Sequence, residues 1–491
     1  MARNPSSSLV ASLIAAWLLC SSATTRGADY FLTIGGGYSP TGNQASLERN
    51  VLFYQRLLRD KKLDVLQHDI YFADGSNPRR DLQVVDRAAI PKANQLMAEF
   101  FGSQRDLGLS YRDHQVPDVN GDTSPENIRK WFDNVGATLS AGDRLILYVT
   151  SHGGSSASRD QPHNTAISLW NNKKLPVAEL ADLLDRIPES VSVVTIMVQC
   201  HSGGFARLIY DQGDSDQGFC KQTRCGFFAT VHDRPAAGCT PDIDEASYVE
   251  YSTFFWEALA GFTRTGDAIS PPDYDGDGTV SFDEAHAYTV LNSDTIDLPI
   301  KTSGELLSVE SGFRDQDHPD LLPRDLPYDE LLELATPSER AILTGLSQQL
   351  NLSGNNRLVD ADSQARPPRG RGRGRSGEVD RSADIRRRIA GDIRRHWPEL
   401  ANLMNPIAIE LVTTGAAEFV KRIENHPQYK RYRELAEGAS KSLSPQEKRV
   451  KYERFVRTAE NVIMRENLVR LGNQQTIARY QAIVHAEAGS L

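Results

Sequence analysis

The chain has 491 residues, 39% of them hydrophobic and 24% charged, with a formal net charge of −10. That length gives room for two to four domains at about 100–200 residues each, and the composition excludes a collagen-like, coiled-coil or wholly disordered chain. The negative balance argues against a general binder of nucleic acid or membrane surfaces, although residues 366–395 carry eleven Arg against four acids, a local +7 that leaves −17 for the remainder.

Arg3 followed by the apolar run Leu9 to Cys20 and then by small residues up to Ala23 and Ala28 predicts a secretory signal over residues 1–28. The run is shorter than the roughly 20 residues of a membrane span. Leu19 stands before Cys20 where a lipoprotein anchor wants a small residue, so anchoring at Cys20 is not expected. The expected mature protein is exported, secreted or periplasmic, and begins near Asp29.

A strand is expected over residues 29–37, ending in a glycine turn, then a helix over 44–60 with Leu47, Val51, Tyr54, Leu57 and Leu58 on one face. A second strand falls near 67–73. Residues 74–123 are polar and give no periodic signal. Ser124-Pro125 reads as an N-cap followed by proline at the first helical position. Residues 143–150 and 191–198 are short continuous apolar runs, as in parallel strands buried on both faces. Helices are expected over 176–186, from about 203, and over 250–262, with a strand at 226–231. This alternation predicts an α/β fold with a mainly parallel sheet and helices on both faces, where ligands bind beyond the carboxyl ends of strands.

Two of those strand ends carry reactive residues. One runs into Ser151-His152-Gly153-Gly154 and the other into Gln199-Cys200-His201-Ser202-Gly203-Gly204. Adjacent parallel strands would set His152 beside Cys200. A cysteine nucleophile needs a nearby base, and glycines after each residue let backbone come close to a substrate carbonyl. His201 is the rival base, but as the sequence neighbour of Cys200 it is expected to point away.

The segment from Ser124-Pro125-Glu126-Asn127-Ile128 to Tyr148-Val149-Thr150-Ser151-His152-Gly153-Gly154 resembles legumain-type cysteine peptidases, and Cys200-His201-Ser202-Gly203 resembles the wider caspase–metacaspase–legumain superfamily. The histidine lies 48 residues before the cysteine, close to the caspase offset of about 50. The resemblance covers roughly residues 29–262. It implies a caspase–haemoglobinase fold in a peptidase domain over 29–300, with Cys200 as nucleophile, His152 as base and the backbone N–H groups of Gly153 and Cys200 as the oxyanion site. Asn43 is the candidate orienter of His152. Ser151 and Val198 stand where legumains carry acids, and the loop 35–44 lacks their specificity arginine, so cleavage after Asn is not expected.

Residues 273–284, Asp-Tyr-Asp-Gly-Asp-Gly-Thr-Val-Ser-Phe-Asp-Glu, match a twelve-residue EF-hand loop. The expected Ca²⁺ ligands are Asp273, Asp275, Asp277, Ser281 and Glu284, with Thr279 offering its carbonyl and Gly278 at the sharp turn. The Pro-containing lead-in suggests a half EF-hand, as in dockerin-like repeats. Once Cys20 is removed with the signal, Cys200, Cys220, Cys225 and Cys239 remain; with Cys200 free, the other three allow one bridge.

Residues 301–352 form an acidic connecting region with a helix, 353–381 an Arg/Gly-rich linker, and 382–491 a helical C-terminal module. The arginines at 366–375 are read as a solvated linker and as an exposed site for self-processing; they lack the interleaved aromatics of nucleic-acid binders. The sequence thus predicts an exported, calcium-binding cysteine endopeptidase acting on proteins or peptides. The alternatives are a transpeptidase on the same scaffold and a non-catalytic calcium-binding interaction protein.

Overall fold

A computed structural model describes residues 27–311, 318–366, 377–471 and 473–491. Residues 1–26, which hold Cys20 and most of the expected signal segment, and nearly all of the arginine run at 366–375 lie outside the described residues.

The centre is a seven-stranded sheet of β1 (Asp29–Gly36), β2 (His68–Phe72), β3 (Val119–Gly121), β4 (Arg144–Ser151), β5 (Ser192–Met197), β6 (Arg224–Phe228) and β7 (Ile300–Lys301). In space the order is β7-β6-β5-β4-β1-β2-β3, parallel except for β7 against β6. The protein is therefore α/β with a mainly parallel sheet. The chain leaves β1 towards β2 on one side and later returns as β4 on the other, so the space beyond β1 and β4 is a topological switch point.

Register fixes what meets there. Gly36 pairs with Ser151, and Val149 with Met197, so the residues after β1, β4 and β5 emerge at the same edge. Alternate side chains go to opposite faces. Leu32, Leu145, Leu147 and Val193 pack under helices α3 (Pro125–Asn134) and α4 (Val177–Leu184) on one face. Phe31, Ile146, Tyr148, Val194 and Ile196 pack on the other face under α1 (Ala45–Asp60) and α5 (Tyr251–Ala260), with α2 (Lys92–Phe101) lying farther out. The expected Ser124 cap is present: its hydroxyl accepts from the Asn127 N–H at 3.3 Å.

The uninformative stretch 74–123 holds a two-stranded pair, residues 82–84 with 110–112, together with α2 and β3. These strands are three residues long, too short to show a period. The helix expected from about 203 is a 3₁₀ helix over Ser202–Ile209.

The following helices, α6 (Phe282–Asn292), α7 (Thr302–Glu310), α8 (Tyr328–Leu334), α9 (Pro337–Gln349) and α10 (Arg357–Ala365), lead into α11 (Gly377–His396), α12 (Pro406–Glu410), α13 (Ala416–Glu424), α14 (Tyr429–Lys441), α15 (Pro445–Leu471) and α16 (Gln474–Glu487). The described residues of the stretch 382–491 are mainly helical and divide among three cores. Ile389, Phe419 and Ile423 pack with Leu96 and Phe100 of α2. Met464, Leu468 and Ile483 instead join the sheet core beside Phe227, and Phe455, Val462 and Ile463 bury against α6, α9 and α10. The Arg144 guanidinium reaches the Ser490 carbonyl at 2.8 Å, tying the far end of the chain to the start of β4.

Among the described residues, no helix is long and apolar enough to cross a membrane. The four cysteines are free thiols. The bridge that the count allowed is not formed: Cys225 is buried in the sheet core, while Cys220 hydrogen-bonds the Gln222 carbonyl at 3.2 Å.

Candidate functional site

His152 follows the last residue of β4, and Cys200 lies three residues beyond β5, the neighbouring strand. Their loops touch through backbone. A methyl group on Gly153 would lie 1.8 Å from the Cys200 carbonyl oxygen, so only glycine fits there. The structure thus sets the loop that carries His152 and Gly153 against the loop that carries Cys200. His201 adopts a left-handed backbone, φ 60°, and its Nδ1 meets the His232 carbonyl at 2.9 Å. The rival base is engaged on the far side of the turn.

The loop after β1 supports His152. The Tyr38 ring packs edge-on against the imidazole at 5.3 Å between centroids. The Gly42 backbone hydrogen-bonds the ring, and Gln44 Oε1 stands 2.9 Å from His152 Nε2. Burial lowers the His152 pKa, and the Gly42 bond partly offsets the shift.

The expected orienter Asn43 is corrected here. Its side chain turns inward, accepting from the Gly37 N–H at 2.9 Å and donating to Asp81 at 3.0 Å. It shapes the loop, and its neighbour Gln44 contacts the histidine. The turn at Pro40–Gly42 sets which of the two faces the site, a choice invisible to a sequence match of loose register.

The segment at 236–237 contacts the thiol. The Ala236 N–H donates to Cys200 Sγ at 3.3 Å, and the thiol faces the Ala236 carbonyl at 3.8 Å. Burial raises the Cys200 pKa; the Ala236 bond lowers it, and the negative charge of Asp297 raises it further. Asp297 accepts from the Ala237 N–H at 2.6 Å, and burial pushes its own pKa up to about 7. Behind it lies α15. Arg454, wholly buried, donates to the backbone carbonyls of Val290, Ser293 and Asp297. Arg234, whose carbonyl accepts from the His201 N–H, pairs with Glu453. Sequence reasoning found none of Tyr38, Gln44, Ala236, Asp297 or Arg454. The one available signal was an arginine in the middle of an apolar helical stretch.

The loop at 273–284 brings Asp273, Asp275 and Asp277 together, with one carboxylate oxygen from each within 4.8 Å of the others. Asp273 accepts from the N–H groups of Gly276, Asp277 and Gly278. Glu284 folds inward to the Tyr274 N–H at 2.6 Å and the Ser281 N–H at 2.9 Å, and with Ser281 forms the capping box of α6. Thr279 lies in the same turn, its N–H bonded to Asp277 at 2.7 Å.

No family model matches the chain, and no curated protein matches it. Among solved structures, the chain is similar to a protein from Geobacter sulfurreducens at a TM-score of 0.30 and 12% identity, over 56% of this chain and 92% of the other.

Proposed function

We propose that the protein is an exported cysteine endopeptidase on a caspase-like scaffold, with Cys200 as nucleophile and His152 as its acid–base partner. The observation that carries this reading is the backbone contact of Gly153 with Cys200, which sets two strand-end loops, one bearing an imidazole and one a thiol, against each other. Peptide hydrolysis needs these parts: a sulfur to attack the carbonyl, a proton source for the leaving amine, and N–H donors for the oxyanion. Cys200 Sγ supplies the first, His152 the second, and the Gly153 and Cys200 backbones the third. The thiol proton passes to His152 on attack and is delivered to the departing amine. Water then hydrolyses the thioester, with His152 as base.

Calcium belongs to the same proposal. Asp273, Asp275, Asp277, Ser281 and Glu284 offer hard oxygens at EF-hand spacing, with the Thr279 carbonyl. Bound there, Ca²⁺ would fix the start of α6, whose far end is held by Arg454 in the brace behind Asp297.

The capped, burial-raised Cys200 thiol favours one rival reading, a non-catalytic calcium-binding protein that has kept the scaffold. One experiment decides. Wild-type and Cys200→Ala proteins are incubated with a proteome-derived peptide library in millimolar Ca²⁺, and cuts are mapped by mass spectrometry. Cuts made only by wild type support the peptidase and read its preferred residue. Folded wild type with no Cys200-dependent cuts overturns it, and joined peptides in place of cuts indicate a transpeptidase.

A further inference from the structure

A second polar cluster lies apart from both the dyad and the calcium loop. Asp74 follows β2, Asp81 precedes the short strand at 82–84, and His114 follows the strand at 110–112. One ligand atom from each side chain lies within 4.8 Å of the other two, a spread that small side-chain rotations close onto bonds of about 2.0–2.2 Å to a metal.

Three observations point to a cation-binding site. First, Asp74 Oδ1 is shut off from solvent and has no hydrogen-bond partner, a costly state for a carboxylate oxygen. Second, Asp81 is only 1% exposed, and its hydrogen bonds come from neutral donors, the His114 N–H at 3.1 Å and Asn43 Nδ2 at 3.0 Å. Third, His114 Nε2 lies 2.8 Å from the Gly75 carbonyl. A carbonyl only accepts, so Nε2 carries the proton and Nδ1 keeps its lone pair, met only by the Val116 N–H at 3.4 Å. A histidine held through one nitrogen by a backbone carbonyl is the usual support of a metal ligand.

We propose that Asp74, Asp81 and His114 bind one divalent first-row transition-metal ion, through two carboxylates and one imidazole. This donor set suits Zn²⁺, with water completing the shell, and distinguishes the site from the all-oxygen calcium loop. The site also has a route to the dyad. Asp81 holds Asn43, Asn43 holds Gly37, and the loop between them and Gln44 supports His152. The ion would therefore fix the loop that orients the histidine.

The test uses the full chain as Cys200→Ala, so that the thiol cannot bind the probe. Metal-stripped protein in millimolar Ca²⁺ is titrated with Zn²⁺ by calorimetry. The expected result is one equivalent bound, with Asp74→Asn and His114→Gln each weakening it at least tenfold and Glu284→Gln leaving it unchanged. Co²⁺ added to the same proteins should give visible ligand-field absorption that His114→Gln removes, a signature that a merely structural histidine would not move. Asp74 is partly exposed, so its variant decides the matter if the His114 variant does not fold. Failure to bind Zn²⁺, or equal binding by the folded variants, overturns the proposal. The peptidase reading is untouched by either result, since no variant is scored on cleavage.

Discussion

Gln44 Oε1 and His152 Nε2 lie 2.9 Å apart, and through this contact the loop after the first strand reaches the residue after the fourth. Its neighbour Asn43 points the other way, into the loop's own interior. The two should therefore fail differently. Gln44→Ala is expected to lower kcat by roughly tenfold with little change in KM or thermal midpoint, because it frees the imidazole without opening the core. Asn43→Ala should cost about 1–3 kcal/mol of stability, because buried partners lose their bonds. Kinetics and thermal unfolding on both variants check the contrast.

Gly153 offers a sharper test. A methyl there would lie 1.8 Å from the Cys200 carbonyl oxygen, and the backbone must shift to admit it. Gly153→Ala is expected to cut kcat/KM by about 100-fold or more, since small displacements at the reacting centre carry that scale of cost. Gly154→Ala should be mild: a methyl there meets only Lys174 Nζ, at 3.9 Å. Equal losses in the two variants would contradict the placement of the dyad at this contact.

The thiol and the imidazole are both held towards their neutral forms, Cys200 because burial raises its pKa and His152 because burial lowers its own. Alkylation of Cys200 by iodoacetamide in the resting protein should accordingly rise with pH and show no plateau near neutrality, in contrast to a preformed thiolate–imidazolium pair. Above about pH 7, where the Asp297 carboxyl is charged, Asp297→Asn removes a negative neighbour and should speed alkylation. A rate independent of pH between 6 and 8 would count against this state of the dyad.

Asp297 also bears on stability. Its carboxyl is raised to about 7 by burial, above the unfolded value near 4. The native state therefore binds the proton more tightly. Its contribution is fully present below about pH 4 and is lost as pH rises through about 7. Asp297→Asn should flatten that part of the stability profile, as read by denaturant midpoints across the range.

If the loop at 273–284 binds Ca²⁺ as proposed, the ion at about 100 times its dissociation constant should add about 2.7 kcal/mol of stability. Glu284→Gln should abolish most of that gain, because Glu284 is the residue that turns inward across the loop. Asp118→Asn should not change it, since Asp118 lies outside this loop, directly before β3. Calorimetric melts with and without chelator provide the measurement.

Much of the fold is legible in the sequence, because β4 and β5 are apolar on both faces and end in unlike, reactive residues. Register then does the rest: Gly36 opposite Ser151 and Val149 opposite Met197 bring the three loops to one edge. Three things escape. Which of Asn43 and Gln44 faces His152 depends on a single turn. Ala236 reaches Cys200 with backbone atoms, which no residue type announces. The helical tail resembles a separate module because an arginine-rich stretch precedes it. The clue against that was Arg454 itself, whose charge sits among Val450, Phe455 and Val456 with no exposed face to serve. A buried arginine wants a cage of carbonyls, and that cage is made by residues 290–297.

That cage has a consequence for synthesis. The chain grows from its amino end, so Cys200 leaves the ribosome some 250 residues before the Arg454 that braces the segment behind it. Until α15 arrives, Asp297 and the Ala236 cap lack their backing, and the interior that Met464, Leu468 and Ile483 fill is incomplete. A translation product halted before α15 would therefore carry the thiol without the backing that Arg454 gives to the segment around Asp297.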